Sequence, residues 1–140
     1  MESSRYAGDV SLNKAWDMLV AERNAVLVDV RTPEEWNSVG LPDLSTLDKD
    51  ALCLSWRVYP QMSMNENFMA ELVREVKDKN AALLFLCRSG GRSREAAIEA
   101  TSHGYTRCYN VAAGFEGKFD QHSGSNTVNG WKVTLPWRQN

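Results

Sequence analysis

Cys87, Arg88, Arg92 and Arg94 crowd into one short stretch, FLCRSGGRSREA (Phe85 to Ala96), together with Ser89, Gly90, Gly91 and Ser93. A thiol among cations and glycines at that spacing suits nucleophilic chemistry. The apolar run ending at Leu86 reads as a strand and the run from Ser93 as a helix, so Cys87 leaves a strand just ahead of a helix N-terminus. Gly90 and Gly91 let the backbone curl and turn its N–H groups inward. The helix dipole and its free amides point at the same place. Such surroundings favour the thiolate, which then needs no histidine base. Neither histidine is near in sequence: His103 lies at the far end of the helix and His122 in the tail. The other fate of a lone cysteine, a core thiol, fits poorly beside arginine and glycine. It suits Cys53 and Cys108, each inside an apolar or β-forming run.

The elements that must hold this loop are legible on either side. Ser11 is an N-cap ahead of Leu12, Ala15, Trp16 and Leu19 at helical spacing, with Arg23 and Asn24 ending the run. AVLVDV (Ala25 to Val30) is a valine-rich, β-branched run that reads as a strand of the kind buried on both faces. TPEEW follows, with Thr32 as N-cap, Pro33 at the first helical position and Glu35 completing a capping box. Val39 to Asp50 reads as a loop, ALCLSW (Ala51 to Trp56) as a short strand and RVYPQMSMN as irregular. Phe68, Met69, Leu72, Val73 and Val76 make a helical stripe. AALLFL (Ala81 to Leu86) is the strand that delivers Cys87, and Ser93 to Ser102 a helix closed by Gly104. TRCYNV (Thr106 to Val111) is a further strand, and AAGFEGKFD a last short helix. Strands alternating with helices predict an α/β fold with a mainly parallel sheet, whose site lies at the C-terminal strand ends. Cys87 and Asp29 both fall there.

The chain has 140 residues, 43% apolar and 24% charged, with a formal net charge of −2. That is the length and composition of one globular domain. With no basic excess, neither nucleic acid nor an anionic membrane is an expected partner. The local arginines read instead as a small-anion site. The three cysteines show no zinc-ligand spacing. No signal-peptide pattern opens the sequence and no apolar stretch is long enough to span a membrane, so the expectation is a soluble, cytoplasmic protein with free thiols.

Taken together, LVDVRTPEEW, CRSGGRS and GYTRCYNVAAGFEG resemble the single-domain rhodanese, or thiosulfate sulfurtransferase, family over roughly Asp9 to Asp120. The resemblance implies a rhodanese-like three-layer domain, a mainly parallel central sheet flanked by helices, with a core of about 9–120 and a C-terminal extension over 121–140. It also implies transfer of a sulfane sulfur from thiosulfate or a similar small anion to cyanide or a thiol, through a Cys87 persulfide. A protein sulfur acceptor is the alternative. No cofactor or metal is called for. Two segments depart from the family pattern. Its Gly-His-Ile-Pro-Gly-Ala reads VGLPDL here, and its Gly-Gly after the Asn-Val strand reads Ala113-Gly114. Cysteine phosphatases and arsenate reductases are the main rivals, since phosphatases exist on the same fold. The phosphatase loop places arginine six residues after cysteine, where this chain has Ser93; Arg92 comes one residue early. A loop so shortened suits a single sulfur better than a phosphoryl group.

The loop amides of Arg88 to Ser93 are expected to hold the sulfur anion, and Arg88 to bind the donor's oxygens. Ser89 and Ser93 either donate hydroxyl bonds or cap the helix. Asp29 ends an apolar strand, where a charge is costly unless paired; Arg92 is the expected partner. Arg31 and Glu35, four apart near a helix start, read as a pair shaping the rim. Arg94 faces solvent, and Trp36 and Trp56 pack. The apolar residues of GWKVTLPWRQN predict that the tail folds back onto the domain.

Overall fold

The structure, a computed structural model, describes residues 5–117 and 130–140. In chain order it contains β1 (Gly8–Val10), α1 (Leu12–Ala21), β2 (Val26–Asp29), α2 (Pro33–Val39), β3 (Leu41–Pro42), β4 (Leu52–Cys53), β5 (Arg57–Val58), β6 (Ser63–Met64), α3 (Phe68–Glu75), β7 (Leu83–Leu86), α4 (Gly91–Ser102), β8 (Cys108–Val111), α5 (Trp131–Thr134) and β9 (Trp137–Arg138). A five-stranded sheet runs β1-β8-β7-β2-β4, every pairing parallel. Helices cover both faces, and β7 lies in the middle.

Local signals built these elements as the sequence predicts. The Ser11 hydroxyl accepts from the Lys14 N–H at 3.0 Å and starts α1. At α2 the capping box is complete: the Glu35 N–H donates to Thr32 Oγ1 at 3.2 Å and the Thr32 N–H to Glu35 Oε1 at 3.0 Å. Gly104 follows the end of α4 at φ +100°.

Strand alternation then sorts the core into two layers. Val28, Val30, Leu83, Phe85 and Cys87 pack with Phe68, Leu72, Ala96, Ala97 and Ala100 under α3 and α4. Leu27, Leu84, Leu86, Val111 and Phe115 pack with Ala15, Leu19 and Trp131 under α1 and α5. Cys87 continues the face that Leu83 and Phe85 begin, so its side chain meets α4. Asp29 and Arg31 continue the parity of Leu27 and belong to the other face.

Several segments differ from the sequence reading. The stretch expected to be irregular holds a two-stranded antiparallel hairpin, with Arg57 opposite Met64 and Val58 opposite Ser63. The Val39 to Asp50 loop contains β3 and a 3-10 turn over Ser45–Leu47. α4 begins at Gly91, two residues before Ser93. The expected last helix is a run of turns over 112–116; its final residues, like His122, lie outside the described residues. Folding back of the tail is borne out: Trp131 is fully buried, and β9 pairs antiparallel with β3, Leu41 opposite Arg138 and Pro42 opposite Trp137. The VGLPDL departure lies at this contact. A Cβ on Gly40 (φ +115°) would sit 2.7 Å from the Trp137 ring.

Candidate active site

β7 carries Cys87 out of the sheet, and the chain turns at Gly90 (φ +105°) into α4. A Cβ on Gly90 would lie 2.4 Å from Ala112 O, and one on Gly114 (φ +75°) 2.3 Å from Arg88 O. Two glycines therefore let the cysteine loop and the turn after β8 touch backbone to backbone. The Phe115 N–H donates to Cys87 O at 2.7 Å and the Glu116 N–H to Arg88 O at 3.0 Å, which clamps the loop. Gly91 is different. It lies inside α4, and a Cβ there would meet nothing within 4 Å, so the tight curl is the work of Gly90 rather than of both glycines.

The Cys87 side chain is 1% exposed beneath this loop, whereas Arg88, Ser89 and Gly91 on its crest are exposed. The Gly90 N–H reaches Sγ at 3.1 Å and the Ser93 hydroxyl lies 3.2 Å from it. Of the loop amides expected to hold the sulfur, Gly90 is the one in hydrogen-bond contact with it. The amide end of the twelve-residue α4 faces the same atom. Ser93 is fully buried and binds the sulfur, which decides between its two readings; Ser89 stays at the surface.

Arg31, Arg88 and Arg92, at this end of the sheet, are all matched by carboxylates, in pairs that differ from the expected ones. Arg31, not Arg92, pairs with Asp29: Nη2 to Oδ2 at 2.7 Å and Nε to Oδ1 at 2.9 Å, both side chains fully buried. Strand parity is the reason, since Asp29 and Arg31 share the face away from α4. Arg31 also donates to Gly40 O at 2.8 Å and lies 4.2 Å from the Phe115 ring centroid. Glu35, expected beside Arg31, instead takes two bonds from Arg92, at 2.7 and 2.9 Å. It can do so because α2 and α4 begin side by side at the C-terminal edge of the sheet. Burial pushes the Glu35 carboxyl up, but bonds from Arg92 and Thr32 outweigh it and hold it below its ordinary value. Arg88 is half-exposed, its Nε 3.4 Å from the mostly buried Glu116 carboxylate. Arg94 is exposed, as expected, and leans on Tyr6.

Trp56 packs edge-on to Phe68 and donates to Glu95 at 2.9 Å. Trp36 is partly buried, its Nε1 without a partner among the described residues. Cys108 is buried, and burial raises its thiol to about 11. Cys53 is an exposed residue rather than an interior one, yet its thiol is also raised to about 11, by shielding of the sulfur and then by Asp29. Sequence reasoning missed Asn110, Asp9 and Glu116. Asn110 is 3% exposed within β8, and a buried amide in a strand has to have partners; that was the available signal. Glu116 carried none, because its role depends on how the turn after β8 lies against Arg88.

A family model described as the STR4 middle domain matches residues 7–140. A protein of Rickettsia conorii, RC0915, named only as uncharacterized, is 43% identical over 132 residues, covering 93% of this chain and 96% of that protein. The crystal structure of Rv0390 from M. tuberculosis superposes with a TM-score of 0.86 at 46% identity, covering 96% of this chain and 99% of that one. The thiosulfate sulfurtransferase GlpE of Pseudomonas syringae is 32% identical over 95 residues, 68% of this chain and 73% of that protein.

Proposed function

The chain belongs to the STR4 middle-domain family and its named sequence neighbours are rhodanese-like sulfurtransferases; on that footing we propose that it moves a sulfane sulfur from thiosulfate or a similar donor to cyanide or a thiol, through a persulfide on Cys87. The observation that carries the reading is the setting of the thiol. Cys87 lies under a five-residue step to Arg92, faced by the Gly90 N–H and the Ser93 hydroxyl, at the amide end of α4.

The reaction is a double displacement. The Cys87 thiolate attacks the outer sulfur of thiosulfate. The Sγ–S bond forms as the bond to the sulfonate sulfur breaks, and sulfite leaves with that electron pair. The persulfide ends in an anionic sulfur one atom further out, toward the crest of the loop, where free amides of α4 stabilise it. Cyanide or a thiolate then attacks this terminal sulfur, leaves as thiocyanate or a new persulfide, and returns the Cys87 thiolate. Arg88 is the arginine best able to meet the donor's oxygens, because it is half-exposed and loosely paired. Arg92 holds the loop to α2 through Glu35, and the Asp29–Arg31 pair braces the underside.

The position a phosphatase needs for its arginine holds Ser93, fully buried against the sulfur, which weighs against phosphoryl transfer. The test is turnover. The parent should form thiocyanate from thiosulfate and cyanide and leave an aryl phosphate intact, and Cys87→Ser should do neither. Full transfer by Cys87→Ser, or strong phosphatase activity in the parent, overturns the reading.

A further inference from the structure

The Ser93 hydroxyl has one hydrogen and two neighbours that want it. Its oxygen lies 3.2 Å from Cys87 Sγ and 2.6 Å from Asn110 Oδ1. The orientation of the Asn110 amide is set from behind. Its Nδ2 points to Asp9 Oδ1 at 3.0 Å and to Gly90 O at 3.3 Å, both of which only accept. Asp9 is itself held by the Tyr6 hydroxyl at 2.8 Å. Oδ1 therefore faces Ser93, and Oδ1 also only accepts. Cys87, Ser93 and Asn110 are 1%, 0% and 3% exposed, so no bulk water relieves the competition.

We propose that Asn110 is a positioning residue that keeps the Ser93 hydroxyl hydrogen away from Cys87 while the sulfur is neutral or persulfidated. In the thiol state the hydrogens all have places: S–H donates to Ser93 Oγ, Ser93 O–H to Asn110 Oδ1, and the Gly90 N–H to Sγ. Loss of the thiol proton reverses the preference. A hydrogen bond to an ionised sulfur is roughly twice as strong as one to a neutral acceptor. The hydroxyl then turns to Sγ, and Asn110 Oδ1 loses its buried donor. Persulfide formation moves the charge to the outer sulfur, and the hydroxyl returns to Asn110. Asn110 thus opposes the free thiolate and favours the loaded state. This rests on Cys87 being the working thiol of the proposed transfer.

The test reads the thiol with no sulfur donor present, so it is independent of whether transfer occurs. Iodoacetamide alkylation of Cys87 is followed by peptide mass spectrometry across pH in the parent, Asn110→Ala, Ser93→Ala and the double variant. Asn110→Leu, which refills the space, serves if Asn110→Ala folds poorly. Freeing the hydroxyl should move the Asn110 profile to lower pH by about one unit, a tenfold effect. Ser93→Ala should move it to higher pH, and the double variant should follow Ser93→Ala. The charged and titratable groups on the thiol's side of the sheet keep their identity throughout: Arg92 with Glu35 from α2 and Tyr59 from the hairpin, the Arg88–Glu116 pair, and Asp9 behind Asn110; the Asp29–Arg31 pair lies on the other face. A merely structural Asn110 would shift its profile the same way as Ser93→Ala or leave it unmoved, and either result overturns the proposal.

Discussion

Asp29→Leu should be among the most damaging single changes in the protein, and adding Arg31→Met should largely reverse it. Both side chains are fully buried, and Asp29 takes bonds from Arg31 Nη2 at 2.7 Å and Nε at 2.9 Å and from the Arg31 backbone N–H at 3.2 Å. Removing Asp29 strands a guanidinium with no water, which costs about 3–5 kcal/mol. For a chain of this length that lowers Tm by roughly 10–20 °C. Arg31→Met alone strands the carboxylate and falls in the same range. The double variant removes both charges. Its remaining losses are the donor to Gly40 O and the acceptor of the residue-31 backbone N–H, about 1 kcal/mol each, together with the guanidinium contact with Phe115. The expected cycle is therefore strongly non-additive, with the double variant within about 2 kcal/mol of the parent. Urea melts of the four proteins measure it. If Asp29→Leu melts like the parent, or the double variant loses the sum of the singles, the pair is not a desolvated ion pair and the parity argument fails.

The Glu35 carboxyl is held below its ordinary 4.5 in the folded protein, so its contribution to stability is full above that value and is lost as pH falls through the lowered one. Glu35→Gln should be less stable at pH 7 but lose less stability between pH 5 and pH 3; urea melts at each pH check this, and parallel curves would refute it. Gly91→Ala should raise stability by about 0.4–1 kcal/mol, because the position is helical and has room for a methyl group; a lower Tm would contradict it. Glu116→Gln removes the charge beside Arg88 and should raise kcat/KM for thiosulfate about two- to fivefold, an effect that salt erases. An unchanged value would mean that Arg88 does not meet the donor.

What could be read from the sequence was what neighbouring residues decide. Ser11, Thr32 and Glu35 mark their helix starts with their own side chains, and the parallel core strands announce themselves as unbroken apolar runs. The cysteine loop was legible for the same reason, since strand, glycine turn and helix follow one another. The pairing of the charges was not. Glu35 and Arg92 are 57 positions apart and meet only because α2 and α4 start on the same edge. Strand parity, available from Leu27, Asp29 and Arg31 alone, puts Asp29 on the face away from Arg92 and beside Arg31. β3 and β9 have two residues each, too short for any periodicity, and the tail's place against Gly40 appears only when Trp137 is in position. Asn110 reads as part of a strand, while its partners come from two distant places in the chain, Asp9 from β1 and Gly90 and Ser93 from the cysteine loop.

The proposed transfer requires sulfur to reside on Cys87 during turnover. Treatment with thiosulfate, removal of the excess and mass spectrometry of the intact chain and its peptides tests this directly. One added sulfur is expected, located on the peptide containing Cys87, discharged by cyanide and absent from Cys87→Ser. Cys53 and Cys108, whose thiols are both raised to about 11, should carry none. No added sulfur on the parent chain, or sulfur found on Cys53 and retained in Cys87→Ser, would contradict it.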